Sequence, residues 1–520
     1  MTGVNTRVGA AAVAAALLLA GCGDSGGDAA DGAGSGTVRV VTSALAASVD
    51  PMAELSASYL RSVGAAEGLM RIQADGSVAP ELAEKVEATS PTVWTARLRP
   101  DVTFWKGGAV NAAAVVASME RARAENTLAA GLLKDVTVAA SDERTVTFTT
   151  KEPAYSLPYA LAHYQLVVHN AASYPAGSSG TDLATADLTG PYRITGFESD
   201  RQMVLERNDR WWGGTPGLAK VAVRKVADPQ ARAQIALSGQ AEIVQDLPTD
   251  RAKELAAAPD MSLVAKPAAN TVTVYLNPSS AAAPALADQR VRRALAWGVD
   301  RQEVVNLATN GLSVPAPSWL ASNPAFPDAA NQGYTRFDKA TAERLLDEAG
   351  WTLGADGKRA KSGKPLTVRL LTFGAEAATG EVLQAQWGRL GIDVQVRNVE
   401  SSLINQSIET GDWDAVTQAW TTLGDTPKLI AAQIGPDGAA NHGRYTDARI
   451  PGLLAQAAGA ADEAQRTAAV YELNKLVAEL APSIPVHPRV LATGIADTVT
   501  GFVAHPLQYE NIVQPKMTLG

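Results

Sequence analysis

The sequence predicts an α/β protein built from two or three domains, and three observations carry that prediction. The chain has 520 residues, more than one core of ordinary size accommodates. Its composition, 46% hydrophobic and 19% charged, is that of a globular chain and not of a disordered one. Period-two alternation recurs between helical patterns, most clearly in Gly190–Asp246 and Leu366–Val399.

The first forty residues read as an address. Arg7 supplies a short positive region, and Val8–Ala20 is an apolar run too short to span a bilayer. It ends in Leu19-Ala20-Gly21-Cys22, which resembles the lipobox of bacterial lipoproteins, where the thiol takes a lipid. Cys22 is the only cysteine in the chain, so an exported protein of this sequence has no internal disulfide and lipidation accounts for the thiol. The fourteen residues that follow, GDSGGDAADGAGSG, lack bulky apolar side chains and predict a flexible tether. The expectation is a signal peptide over 1–21, a tether over 22–36 and a globular body anchored at the outer face of the membrane.

Within the body, Val38–Thr42 reads as a strand and Asp50-Pro51 as a turn. A helical stretch over Ser56–Gly68 leads to a hairpin turn at Asp75-Gly76. Trp94, Ala96 and Leu98 alternate with Thr95 and Arg97, the pattern of a half-buried strand. Asn111 caps a helix carrying Val115, Val116 and Met119. Val136–Ala139 and Thr145–Thr149 pair around Ser141-Asp142-Glu143, and Ala171–Leu188 is a loop crossing between domains. Tyr192–Phe197, Gln202–Arg207 and Val221–Val226 are strands. Asp228-Pro229 opens a helix that Gly239 ends before a strand at Ile243–Val244.

Thr271–Asn277 is the next strand. Asp288 caps a helix with Val291, Ala294, Leu295 and Val299 on one stripe, and Asp300 caps another with Glu303 at the capping-box position. Arg292 and Arg293 on the first of these read as a solvated face. Asp338–Ala349 is a capped helix stopped by Gly350. Leu366–Phe373, a helix through Trp387 and Leu390, and Ile392–Val399 form a β-α-β unit, followed by a strand over Asp414–Trp420. A helix over Asp462–Leu480 precedes Pro482, Pro485 and Pro488, which mark a return crossing. The tail from Gly501 is expected to rejoin the first domain's sheet.

Reactive chemistry is sparse. A net charge of -9 argues against a nucleic-acid partner, whose phosphates demand basic surface. Nucleophile elbow, P-loop and dinucleotide fingerprint are absent from the sequence. The five histidines, His163, His169, His442, His487 and His505, are never spaced as helical metal ligands. The sequence therefore predicts no catalytic residue, no cofactor and no bare-ion metal site.

Exact wording goes further. GPYRI, the LERND-x-WW cluster and DPQARAQIALSGQAEIV resemble the central signature of the family 5 extracytoplasmic solute-binding proteins, the peptide- and nickel-type receptors of ABC importers. EGLMRIQADGSVAP upstream and DQRVRRAL downstream extend the resemblance. It implies a class II periplasmic-binding-protein-like fold, two α/β lobes with an additional inserted domain and a hinged cleft. The implied boundaries are 37–66, 188–278 and 487–520 for lobe I, 67–187 for the additional domain, and 279–486 for lobe II. The implied partners are a small-molecule or peptide ligand and the permease and ATPase subunits of the importer, with the receptor itself a monomer and not an enzyme. A different solute such as a sugar, or a signalling or chaperone-like role, stays open as the alternative.

The same resemblance places the ligand segment at Ala419–Tyr445. In peptide-binding relatives a tryptophan opens this loop and an acidic residue three positions later receives the peptide's ammonium. Trp420 matches the tryptophan, the third position is Leu423, and Asp425 lies two residues further on. Asp425 is therefore either the partner of a positive group or a turn residue after Gly424. His442 falls near a histidine of the nickel-type relatives, to which EGLMRIQADGSVAP, VESS and ENIVQPK are slightly closer. Tyr445 and Trp105 complete the candidates, each equally readable as core. Trp211 and Trp212 read as core or hinge packing. The arginine that nickel-type relatives carry after Tyr155–Leu161 is missing from AHYQLVV.

Overall fold

Two long antiparallel strands, Met261–Leu276 and Ser483–Ala496, form the middle of a ten-stranded sheet. The computed structural model describes residues 36–520 apart from 54, 176–179, 328–335, 461 and 511; the expected signal peptide, Cys22 and nearly all of the tether lie outside the described residues. On one side of the long pair come Ala415–Thr421, Thr367–Thr372 and Asp393–Asn398, these three mutually parallel. On the other side come Ile243–Val244, Thr37–Thr42, Lys220–Lys225, Gln202–Arg207 and Tyr192–Glu198. A separate four-stranded sheet, Ala83–Ser90, Val93–Leu98, Thr145–Thr150 and Val136–Ala140, carries the helix Ala112–Glu125.

Each flank buries its own core. Val40, Tyr192, Ile194, Met203, Leu205 and Val223 pack on one side, and Val274, Leu295, Leu346, Val368, Leu370 and Trp387 on the other. Trp94, Ala96, Leu98, Val115, Met119 and Phe148 form a third core at the four-stranded sheet. The alternation read from the sequence is the reason: every second side chain of Val93–Leu98 is buried. The nominated caps also form. Asn111 accepts from the Ala114 amide at 2.9 Å, Asp228 from Ala231 at 2.7 Å and Asp338 from Thr341 at 3.1 Å.

Several expectations are corrected. The helix from Ser56 stops at Ser62 and does not reach Gly68. Gly64 takes φ +71°, and a Cβ on Gly190 would lie 2.3 Å from the Gly64 carbonyl oxygen, so two backbones meet here in place of a further helical turn. Arg292 is buried and not solvated: its guanidinium donates to the carbonyls of Leu286, Ala287, Leu480 and Ala481, tying off the last turn of the helix Glu463–Leu480. Glu303 does not close a capping box. It binds Gln386 and Arg389, and the Asp300 amide donates to Gln386.

Two of the prolines expected to mark the return crossing lie within a strand. Pro485 and Pro488 lie inside Ser483–Ala496, each at an edge of a break in its register with Met261–Leu276, where a missing N–H costs least. The tail does not rejoin the large sheet. Val499–Thr500 pairs with Thr518–Leu519 as a separate ribbon, while Ile512, Val513 and Met517 fill the core beside Tyr192.

Candidate functional site around Trp420

Trp420 is the most informative side chain at the join between the sheet's two flanks. It sits on Ala415–Thr421, opposite Thr271, and Thr271 also faces Pro488 across the long pair. The residue is 40% exposed, although tryptophan is usually among the more buried residues, and its indole N–H donates to Gln418 at 3.1 Å. It lines a cavity of about 180 Å³ with Phe373, Glu376, Ile404, Gln418 and Arg489 among the other walls.

Glu376 ends the short turn Gly374–Glu376 and is only 4% exposed. One carboxylate oxygen accepts from the Arg489 guanidinium; the other is buried with no hydrogen-bond partner among the described residues. His487 lies two residues before Arg489. Its Nδ1 is 2.7 Å from the Pro488 carbonyl, an acceptor only, so Nδ1 donates and Nε2 accepts from the Thr379 hydroxyl at 2.9 Å. Burial holds its pKa below the usual histidine range, in keeping with a neutral ring. The cavity thus offers an aromatic face and a partly exposed guanidinium backed by a buried carboxylate.

The other nominated residues lie elsewhere. Asp425 caps Thr426–Ile434, accepting from the Lys428 amide and pairing with its ammonium, both at 3.4 Å. Tyr445 donates its hydroxyl to the Leu276 carbonyl at 3.0 Å, and the Arg292 guanidinium stands 5.2 Å from its ring. Leu276 is five residues from Thr271 along one strand, about 17 Å at the usual rise. His442, in the same segment, is half-buried, and burial lowers its pKa. Trp105 is a core residue, with its N–H donated to the Gly190 carbonyl at 3.1 Å. Of the nominated side chains, Trp420 alone lines this cavity.

Sequence reasoning passed over Phe373, Glu376 and Arg489. For Arg489 a signal existed, a charge set in the otherwise apolar strand SIPVHPRVLATGIA. For Glu376 there was none, because a glutamate at a helix start is ordinary.

Trp211 and Trp212 belong to a second polar cluster. Both indoles donate to one oxygen of Glu67, at 2.9 and 3.0 Å. Burial, then the charge of Glu81, pushes the Glu67 carboxyl up to about 8. Beside it Arg61 donates to Glu510 at 2.5 Å and to Glu81 at 3.0 Å. These residues border a separate cavity of about 230 Å³. Among the described residues, no group of three or more His, Cys, Asp or Glu side chains could hold a metal ion, and no helix is long and apolar enough to cross a membrane.

Comparison with known proteins agrees with this architecture. The chain is 27% identical over 451 residues to the nickel-binding periplasmic protein of Escherichia coli K12, covering 81% of this chain and 83% of that one. It is 26% identical over 462 residues to the glutathione-binding protein GsiB of Pectobacterium atrosepticum, covering 85% and 86%. Among solved structures, NikA from Brucella suis in complex with Fe(III)-EDTA superposes with a TM-score of 0.83 at 24% identity, over 93% of this chain and all of that one. The nickel ABC transporter structure from Bacillus halodurans gives 0.76 at 25%, over 92% and 99%. The fold is therefore the two-lobe periplasmic-binding fold. Residues 77–440 match the profile of the bacterial extracellular solute-binding proteins, family 5, and the chain belongs to that family.

Proposed function

We propose that the protein is the extracytoplasmic receptor of an ABC importer, capturing a small solute of peptide or nickel-chelate type between two lobes and delivering it to the permease. The observation that carries this reading is the exposed Trp420 ring on a cavity at the strands joining the sheet's two flanks. A side chain so apolar, left open beside a guanidinium, stacks on a ligand. The proposed lobes follow the boundaries expected above: 37–66, 188–278 and 487–520; 279–486; and an additional domain over 67–187. The cores on the two flanks and at the four-stranded sheet support that division in outline, with Trp105 and Val167 of the additional domain packed into the lobe I core. The long strands crossing between them are suited to a hinge, whose closure a ligand drives by binding the closed form better. The receptor acts without catalysis, as a monomer held to the membrane by a lipid at Cys22.

Native mass spectrometry of the lipid-free protein from its own host tests this. A retained mass of a few hundred daltons, resolving into peptides or carrying a metal isotope pattern, is the expected result. No retained mass, with no melting shift across peptide and metal-chelate panels, overturns the reading.

A further inference from the structure

Arg489 stands where the two long strands lose register. Val490 pairs with Pro267 and Pro488 with Thr271, so three residues, Ala268–Asn270, face Arg489 alone. Such bulges re-aim a side chain beside a site, and Arg489 lines the Trp420 cavity with 43% of its side chain exposed. Its only hydrogen-bond acceptor among the described residues is Glu376, reached through one terminal nitrogen. Glu376 is buried, so it fixes the guanidinium while the remaining N–H groups stay available. A guanidinium held in this way presents a planar fork that matches a carboxylate.

We propose that Arg489 is the anchor for a carboxylate of the solute, with Glu376 as its positioning residue. The proposal rests on the receptor reading and deepens it. The carboxylate is gripped by Arg489, and the body of the solute lies on Trp420. This arginine comes from the strand Ser483–Ala496. A peptide's C-terminus and an amino-carboxylate chelator both present this chemistry.

The test is isothermal titration of the folded full-length protein and its R489Q, R489K and E376Q variants. The probes are the dipeptide Gly-Phe, its C-terminal amide, and Ni(II) with L-histidine; the acid probe that binds identifies the source. R489Q is expected to weaken the acid probe about 30-fold and the amide little, because a desolvated partner of a charge is lost. R489K recovers part of the loss, since an ammonium lacks the fork. E376Q costs about 5- to 10-fold, the size of a positioning effect. Unchanged acid binding in R489Q, or equal wild-type affinity for acid and amide, overturns the anchor; E376Q indistinguishable from wild type overturns the positioning role. If no probe binds, the molecule retained from the host decides. One without an acid group overturns the anchor and leaves the receptor standing, whereas no retained molecule overturns both.

Discussion

Replacing Glu67 by glutamine should raise the protein's stability at alkaline pH and leave it nearly unchanged at acidic pH. The Glu67 carboxyl is buried, receives both indole N–H groups on one oxygen, and is pushed up from 4.5 to about 8. A folded-state pKa above the unfolded one means that the native protein holds the proton more tightly between those values. The unfolded chain therefore binds fewer protons in that window, and stability falls as pH rises from about 4.5 to about 8. At about 1.4 kcal/mol per unit, a rise of this kind, shared with the neighbouring Glu81 carboxylate, is worth on the order of a few kcal/mol. Glutamine mimics the protonated acid: its carbonyl can accept both indoles, and its NH₂ stands where the acid O–H stood.

The assay is thermal unfolding of wild type and E67Q at pH 5.5, 7 and 9. The difference between the two curves cancels titrating groups that do not face Glu67, including His163 and His169, which burial holds near 4. With an unfolding entropy of about 2 cal/mol/K per residue, each kcal/mol shifts the midpoint of a chain this long by roughly 1 °C. E67Q should then melt about 1 °C above wild type at pH 5.5 and roughly 2–4 °C above it at pH 9. Parallel curves across the range would refute the claim that a neutral Glu67 carboxyl holds the two tryptophans.

Other outcomes follow from single contacts. D425A removes the cap of Thr426–Ile434 and should cost about 1 kcal/mol in chemical denaturation, with ligand affinity unchanged. R292M strips four carbonyls of their donor and should cost about 3 kcal/mol, read in the same way. W105A empties a core position and should cost roughly 3–5 kcal/mol; a loss of ligand affinity without destabilisation would return Trp105 to the cleft.

The elements were legible where local physics decides them. Alternation located the strands Gln202–Arg207 and Val93–Leu98, and acidic or amide caps located helix starts at Asn111, Asp228 and Asp338. What escaped depends on distant partners. Arg292 looked solvated because two of its four acceptors, Leu480 and Ala481, lie nearly two hundred residues away and cover it only in the fold. The helix from Ser56 looked longer because its end is set by Gly190 packing on Gly64, which no local pattern reveals. The site followed the same rule. Trp420 was found through wording, whereas Glu376 and Arg489 become neighbours only when a 16-residue strand brings two distant segments together. Asp425 was readable either way, and its local role as a cap after Gly424 is what the backbone displays.

The most direct measurement is native mass spectrometry of wild type, W420A and D425A, each purified from the protein's own host and checked for unchanged melting. Trp420 is exposed, so its removal leaves the core intact. A solute retained by wild type and D425A but absent from W420A is the predicted result. Retention by W420A at the wild-type level would contradict the assignment of this cavity as the solute site.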